Sequence, residues 1–359
     1  MSAADLFADR DLIECAHVLP LNELLNGDDS WWQRWQGAPL LLCGGTENQP
    51  DLVAALIRRE LLCGLERVTL SGLRSRSQWE CWAKQSGLRW PESIEARTGL
   101  PDHIEPKEWL IKSSTGAGGL GVRDWSKDAI HPGDYFQRRV EGQVLGVTFL
   151  SGTGQSLIIG CAESWNTDRF PGPLPFVYRG SCGPIELNEE DSRCLHRFAK
   201  IVHDSTGILG LWQADFIKNH DGWWLLEINP RWSSSMELLD SLLDIRLVSL
   251  HVQAIRGVRP LVKPAKPRFR IGKVVRYAAV DIQPTEEMLQ QWWSKRWCGD
   301  VEELHLENRL ADIPCTTDMI AAGYPMYTEF ASGESVEEVQ ERLEGFPDSK
   351  APQIRKLRK

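Results

Sequence analysis

The chain has 359 residues, 42% of them apolar, with a formal charge of −9 and a pI near 5.5. That length supports two or three packed units, and the acidic balance argues against nucleic acid or anionic lipid as partners. Nine cysteines without a Cys-x-x-Cys pair, eight histidines without metal-ligand spacing, no window near the roughly 18 apolar residues of a membrane span and no leader-like N-terminus predict reduced thiols, no zinc site and a cytoplasmic protein without membrane attachment.

In chain order, the apolar run 39–43 reads as a strand closed by Gly44-Gly45, followed by a helix over Leu52–Leu62 with Pro50 in its first turn. Arg67–Leu70 reads as a second strand and Ser77–Ser86 as a second helix, so the first hundred residues predict a small open α/β sheet. From Glu108 the texture changes: Trp109–Lys112 is a strand, Ser113–Gly121 a glycine-rich loop and Val122–Trp125 a returning strand. Tyr135–Val140, Val144–Leu150 and Ser156–Cys161 continue as strands. A helix over Glu189–Thr206 precedes two strands, Leu209–Lys218 and Trp223–Ile228, joined by the turn Asn219-His220-Asp221-Gly222, and a helix over Ser234–Leu243 follows. Residues 260–270 read as a linker into a last unit of strands with one short helix near Glu334–Leu343, and the basic run Lys350–Lys359 as a solvated tail. The sixteen tryptophans are spread over the whole chain and read as core filling.

Three segments carry chemistry. In Glu227-Ile-Asn229-Pro-Arg231 the alternation of a strand puts Glu227, Asn229 and Arg231 on one face, and Asp215 on the preceding strand reaches it. Two carboxylates and an amide oxygen make a site for hard cations that also hold phosphate oxygens, and Arg231 adds a planar donor fork for phosphate or acyl phosphate. In Lys112-Ser-Ser-Thr-Gly116-Ala-Gly118-Gly119-Leu-Gly121 the glycines let backbone N–H groups approach phosphates while Lys112 supplies a point charge. The Gly-x-Gly-x-x-Gly spacing here is no dinucleotide fingerprint, because the chain continues as a strand rather than a helix. By itself the loop reads equally well as a flexible hairpin tip. Tyr135-Phe-Gln137-Arg138-Arg139-Val140-Glu141-Gly-Gln143 is an extended segment that suits an adenine edge and also suits an ordinary strand end.

In chain order, Lys112 with the glycine loop, the extended segment ending in Glu141-Gly142 and the face of Asp215, Glu227, Asn229 and Arg231 resemble the ATP-grasp superfamily over residues 107–245. Within it the chain is similar to an uncharacterised carboligase group related to biotin carboxylase, through Gly44-Gly45-Thr46-Glu47-Asn48, Phe136-Gln137 with Gly142, and Asn229-Pro230-Arg231. The resemblance implies a mixed α+β and α/β fold: an N-terminal open α/β domain (1–100), a central subdomain with the glycine loop and hinge (101–185), and a C-terminal subdomain with the metal site (186–359), the last two clamping ATP. It implies ATP and Mg2+ as cofactors, two ions, with Mn2+ able to substitute. Asp215, Glu227 and Asn229 would hold the metal. Lys112, Ser113, Ser114, Gly116, Gly118 and Gly119 would meet the phosphates, with Gln137, Arg138, Arg139 and Val140 around adenine and Glu141 or Gln143 at the ribose. Lys112 and Arg231 would be catalytic, Arg231 steadying an acyl phosphate. Two departures stand out: Gln143 where many members carry glutamate, and no clear second phosphate lysine, Lys84 and Lys107 being the candidates.

The implied reaction joins a small-molecule carboxylate to an amine, with amino-acid (glutamate) addition in coenzyme biosynthesis as a finer expectation and a homodimer as the expected assembly. A phosphotransferase and a catalytically lapsed ATP-binding protein are the alternatives. Ser233, Ser235 and Glu237 beyond Arg231 suit a substrate anion and amine, the serines suiting helix capping equally. Arg179, in the Gly- and Pro-rich loop Asn166–Gly183, is a candidate substrate contact on a segment that either closes over the site or merely connects two strands.

Overall fold

The computed structural model describes residues 2–5, 17–20, 32–33, 35–66, 70–96, 105–125, 130–165, 169–242, 246–260, 262 and 268–344. The basic tail, the first three residues of the loop 166–183 and most of the linker 260–270 lie outside them.

β1 (Ser2–Asp5) pairs in parallel with β2 (His17–Pro20). The run 39–43 is not a full strand: it makes one parallel bridge, Pro39 to Leu62, because Gly44 and Gly45 leave the extended conformation at φ 56° and 79° and lead into the turn Thr46–Asn48. α1 (Pro50–Arg58) starts at Pro50 and stops short of Leu62, since Glu60 at φ 60° turns the chain back to that bridge. Leu70 opens α2 (Leu70–Leu73) instead of closing a strand, the remainder of that expected strand lying outside the described residues. α3 (Arg76–Ser86) follows and ends on Gly87 at φ 85°.

β3 (Ser93–Glu95), β4 (Trp109–Ser113), β5 (Val122–Asp124) and β6 (Asp134–Arg138) form an antiparallel sheet ordered β3-β6-β4-β5, with Trp109, Ile111 and Phe136 buried beneath it. β6 ends two residues before the expected Val140.

The larger sheet begins with β7 (Gln143–Gly152), β8 (Gln155–Ser164) and β9 (Gly180–Gly183). After α4 (Glu189–Thr206) come β10 (Gly210–Asn219), β11 (Gly222–Asn229), α5 (Met236–Asp240) and α6 (Leu247–Ile255). β12 (Arg270–Tyr277), α7 (Glu286–Ser294), α8 (Val301–Leu306), β13 (Arg309–Ala311), β14 (Pro325–Gly333) and α9 (Val336–Glu344) complete it. The order is β11-β10-β7-β8-β9-β12-β14-β13, every neighbour antiparallel. The single short helix expected in the last unit is joined by α7 and α8, whose starts are fixed by side-chain caps from Thr285 to the Met288 N–H and from Asp300 to the Glu302 N–H.

Register gives this sheet two unlike faces. On the back, Leu145, Val147, Phe149, Ala214, Phe216 and Ile228 pack against Leu195, Phe198 and Val202 of α4 and against Trp79 and Trp82 of α3. Burying each large side chain there contributes about 2 kcal/mol, so this face holds the unit together. On the front, Leu150 and Leu211 meet Met236, Leu239 and Leu250 at one end only. The rest of that face carries Gly146, Thr148, Gln213, Asp215, Glu227 and Asn229. No described helix is long and apolar enough to cross a membrane.

Candidate active site

The polar stretch of the front face is built by the β10–β11 hairpin. Its two-residue turn at His220-Asp221 sets a register that pairs Asp215 with Glu227 and Gln213 with Asn229. A bulge just beyond Asp215 takes Leu226 out of strict alternation, while Ile228 is wholly buried on the back face. The Asn229 amide donates to Asp215 Oδ2 at 2.9 Å and to Glu227 Oε1 at 3.4 Å. Asp215 Oδ1 accepts from Gln213 Nε2 at 2.7 Å, and Gln213 Oε1 in turn accepts from Ser235 Oγ at 2.8 Å. Arg231 completes the face. Its Nε donates to both carboxylate oxygens of the buried Glu47 at 2.9 Å, its Nη2 to Asn229 Oδ1 at 3.2 Å and its Nη1 to the Trp232 carbonyl at 3.1 Å and Ser233 Oγ at 3.2 Å.

The two carboxylates are driven apart in acidity. Burial first, and then the negative charge of Glu227, push Asp215 up to about 7. Burial pushes Glu227 upward as well, but the attraction of Lys112, then of Arg74, the hydrogen bond shared with Asp215 and the charge of Arg231 outweigh it and hold that carboxyl below its ordinary range. The pair therefore carries close to one negative charge more easily than two. Two carboxylates compressed in this way favour a divalent cation as the group that lets both ionise.

Facing the hairpin is the glycine loop. β4 delivers Lys112 to its mouth, where Nζ donates to Gln137 Oε1 at 3.2 Å, and Gln137 is itself anchored through Nε2 to Ser93 Oγ at 3.2 Å. The loop rests on the segment ahead of β9: the Tyr178 N–H donates to the Gly118 carbonyl at 2.9 Å, and a Cβ at Gly119 would lie 1.7 Å from the Phe176 carbonyl oxygen. Only glycine fits there. The guanidinium of Arg74 ties three segments together, donating to Asn48 Oδ1 at 3.0 Å, to the Ser114 carbonyl at 3.3 Å and to the Ile228 carbonyl at 3.3 Å. Lys112, Arg74 and Arg231 thus bring three positive side chains to the rim of one acidic pair.

Residues 79–235 match the family model of the ATP-grasp domain. The chain carries an ATP-grasp domain over that stretch. Its fold is that of an ADP complex of N5-carboxyaminoimidazole ribonucleotide synthetase, with a TM-score of 0.67 over 95% of this chain and 88% of that one at 15% identity. Biotin carboxylase from Campylobacter jejuni, in a β-γ-ATP complex, superposes with a TM-score of 0.58 over 83% of this chain and 71% of that one at 13% identity. The biotin carboxylase domain of Hydrogenobacter thermophilus 2-oxoglutarate carboxylase, in complex with MgADP, ADP and bicarbonate, gives 0.58 over 84% and 72% at 12% identity. At such identities the likeness is one of fold.

Within this ATP-grasp frame the structure brings together Asp215, Glu227, Asn229, Arg231 and Lys112. Ser113 and Ser114 lead into the loop, the Ser113 hydroxyl 3.2 Å from that of Thr115, and Gly116 approaches so near Gly121 that a Cβ on it would stand 2.9 Å from Gly121 Cα. Along the hinge the placement is mixed. Gln137 is buried and serves Lys112, whereas the exposed Arg138 pairs with Glu108 at 3.2 Å and Arg139 pairs with Asp124 while lying 5.6 Å over the Phe176 ring. Val140 lies past the end of β6, half-buried. The Glu141 carbonyl accepts from Asn219 Nδ2 at 3.0 Å, its side chain exposed. Gln143 leaves the sheet on the back face and donates to Glu163 Oε2 at 3.0 Å, on the opposite side from Asp215.

Of the expected substrate contacts, Ser233 and Ser235 are both buried and bonded to Arg231 and Gln213, and Glu237 pairs with Lys273. Arg179 donates to the Leu174 and Pro175 carbonyls at 3.3 Å and braces its own loop. Lys84 is spent on the exposed pair with Glu80, and Lys107 points to solvent. Arg74, Glu47 and Gln213 escape a reading of the sequence. Glu47 and Asn48 lie inside the Gly-Gly-x-Glu-Asn element, which was the available signal for one part of that set; Arg74 offered none.

Proposed function

We propose that this chain is an ATP-dependent carboxylate–amine ligase that works through an acyl phosphate on a small-molecule acid. The observation that carries this reading is the convergence of Asp215, Glu227 and Asn229 on one face, with Lys112, Arg74 and Arg231 around them. Among the described residues there is no group of three or more His, Cys, Asp or Glu suited to a metal, so the ion site consists of two carboxylates and an amide. That oxygen-donor set fits Mg2+ on nucleotide phosphates better than zinc. Bound there, two Mg2+ ions, or Mn2+ in their place, would neutralise the phosphate oxygens during transfer.

The chain's own residues do the remainder. Lys112 and Arg74 offset the negative charge of the phosphate chain, and the glycine loop supplies backbone donors while shielding the site from water. A carboxylate oxygen of the acid attacks the γ-phosphorus, the bond to ADP breaks, and Arg231, fixed by Glu47, lies against the new acyl phosphate. The amine nitrogen then attacks the acyl carbon and phosphate leaves. No side-chain nucleophile is required. The hinge Gln137–Val140 frames adenine in this reading, while the placement of Gln143 on the back face favours Glu141 for the ribose. The proposed units remain 1–100, 101–185 and 186–359; strand pairing joins β3 to β4, β5 and β6 in the small sheet and puts β7 to β9 in the large sheet with β10 to β14.

The test is phosphate release from ATP with carboxylic acids and amines offered in pairs. Bicarbonate belongs among the acids because it is bound in the Hydrogenobacter structure, and glutamate among the amines because amino-acid addition is the finer reading. Hydroxylamine in place of the amine traps the intermediate as a hydroxamate. Phosphate transfer to hydroxyl acceptors without hydroxamate from any acid would replace the ligase with a phosphotransferase.

A further inference from the structure

On the front face of the large sheet, beyond the metal face, sits a second polar cluster. Lys273 occupies the middle of β12, and the register from Asp215 through Gly146, Ala162, Ser164 and Ser181 places it on the same face as the acidic pair. Its side chain is only 4% exposed, and its ammonium bonds to Glu237 of α5, whose side chain is 36% exposed. The rings of Tyr178 and Phe330 stand 6.0 and 5.8 Å from Nζ, and Asp312 contributes a favourable charge. Glu237 lies two residues past Ser235, which is joined through Gln213 to Asp215. Tyr178 is bonded to Ser181 and Ser234 and to the glycine loop at Gly118. One wall thus runs from the phosphate-binding loop to a buried lysine beneath a half-open carboxylate.

Resting on the ligase reading above, we propose that Lys273 and Glu237 form its acceptor subsite: the Glu237 carboxylate receives the ammonium group of the incoming amine, and Lys273 Nζ takes the proton that must leave before that nitrogen can attack. The step balances simply. The N–H bond of the acceptor ammonium breaks and a new N–H bond forms on Lys273; the freed lone pair then makes a C–N bond to the acyl carbon as the C–O bond to phosphate breaks, and the second N–H proton leaves with inorganic phosphate. The half-open side of Glu237 offers the acceptor a place, and the buried side keeps the lysine beside it. The groups facing Lys273 are Glu237 from α5, Asp312 after β13 and the hydroxyl-bearing Tyr178, whose backbone carbonyl accepts from the Tyr277 hydroxyl at 2.7 Å. Burial, partly offset by Asp312, pushes the Lys273 ammonium down to about 7, where it exchanges a proton readily at neutral pH.

Two measurements on the full-length protein test this. The first is the titration of Lys273 by 13C NMR of lysine Cε, assigned with Lys273→Arg; a midpoint near neutrality is expected, and an ordinary lysine midpoint removes the base while leaving the ligase in place. The second compares acceptors on whichever acid the phosphate-release panel identifies. Hydroxylamine is uncharged at neutral pH and needs no base. Lys273→Gln is therefore expected to lose about 100-fold in kcat/KM for an ammonium acceptor while keeping hydroxamate formation within about threefold, and Glu237→Gln to raise KM for the amine more than it lowers kcat. Equal losses with both acceptors, or an unaltered pH profile, overturn the assignment. No phosphate release from the wild type with any pair removes the ligase reading, and the acceptor subsite with it.

Discussion

Lys273 and Arg276 stand on the same strand, β12, leave it on opposite faces, and each binds a glutamate. On the back, Arg276 donates to Glu329, whose side chain is 0% exposed and also accepts from Asn308 at 2.9 Å, while the guanidinium caps the Leu343 carbonyl. On the front, Lys273 holds a glutamate that is open to the cleft and has oxygen capacity to spare. A closed, fully bonded pair can only hold the structure together, because nothing can enter it without leaving a buried charge unpaired. An open pair beside a row of acidic and basic side chains can exchange a partner. The same contrast holds for the whole sheet: its back face is Leu, Val and Phe under α4, its front Asp215, Glu227, Asn229 and Gln213.

That contrast can be broken by substitutions that separate turnover from stability. The largest effect is expected from Glu227→Gln, which should lower ATP turnover by about 100-fold or more and leave the urea midpoint near that of the wild type. Next is Glu329→Gln on the back face. It should cost about 3 kcal/mol of stability by urea unfolding while turnover per folded molecule stays unchanged. Were Glu329→Gln to abolish turnover in fully folded protein, the division between the faces would fail.

A smaller effect concerns pH. Asp215 is pushed up to about 7, so below that pH it holds a proton that a metal ion must displace. MgADP affinity should weaken about tenfold per unit as pH falls below 7, with proton release detectable by calorimetry in buffers of different ionisation enthalpy, and the dependence should vanish in Asp215→Asn. The smallest effect belongs to the scaffold. His251 accepts the Leu211 N–H at Nδ1, 3.0 Å away, and its Nε2 lies 3.2 Å from the Leu40 carbonyl, an arrangement that calls for the neutral ring, and burial holds its pKa below 6.5. Because the folded value is depressed, its contribution is present above 6.5 and lost as pH falls through the folded value. His251→Gln should remove about 1 kcal/mol at pH 7 and flatten the acid limb of the stability profile.

The parts legible in the sequence were those written in one short segment. Asp215, Glu227 and Asn229 lie on two strands joined by a tight turn, with Arg231 two residues past the second, so period-two alternation sets the common face of the first three and the direction of the fourth. Lys112 and its loop were legible for the same reason. The missing residues arrive from elsewhere: Arg74 follows α2, Glu47 sits in a turn ahead of α1, and Lys273 lies on β12, four strands away from β10. Nothing in local periodicity says that these meet the hairpin, since strand order in the large sheet is a tertiary outcome. The same limit explains Gln143, whose face depends on how β7 pairs with β10 and β8. The short helices α7 and α8 were missed because each depends on a single capping side chain rather than a long amphipathic run.

The proposed ligase depends on Asp215 and Glu227 together holding divalent ions on a nucleotide's phosphates. Electron paramagnetic resonance of Mn2+ titrated into the protein with ADP tests it directly, comparing the wild type with Asp215→Asn/Glu227→Gln. ADP-dependent Mn2+ binding is expected in the wild type and none in the double variant at the same concentrations, with both proteins folded. Equal Mn2+ binding by the two proteins would contradict it.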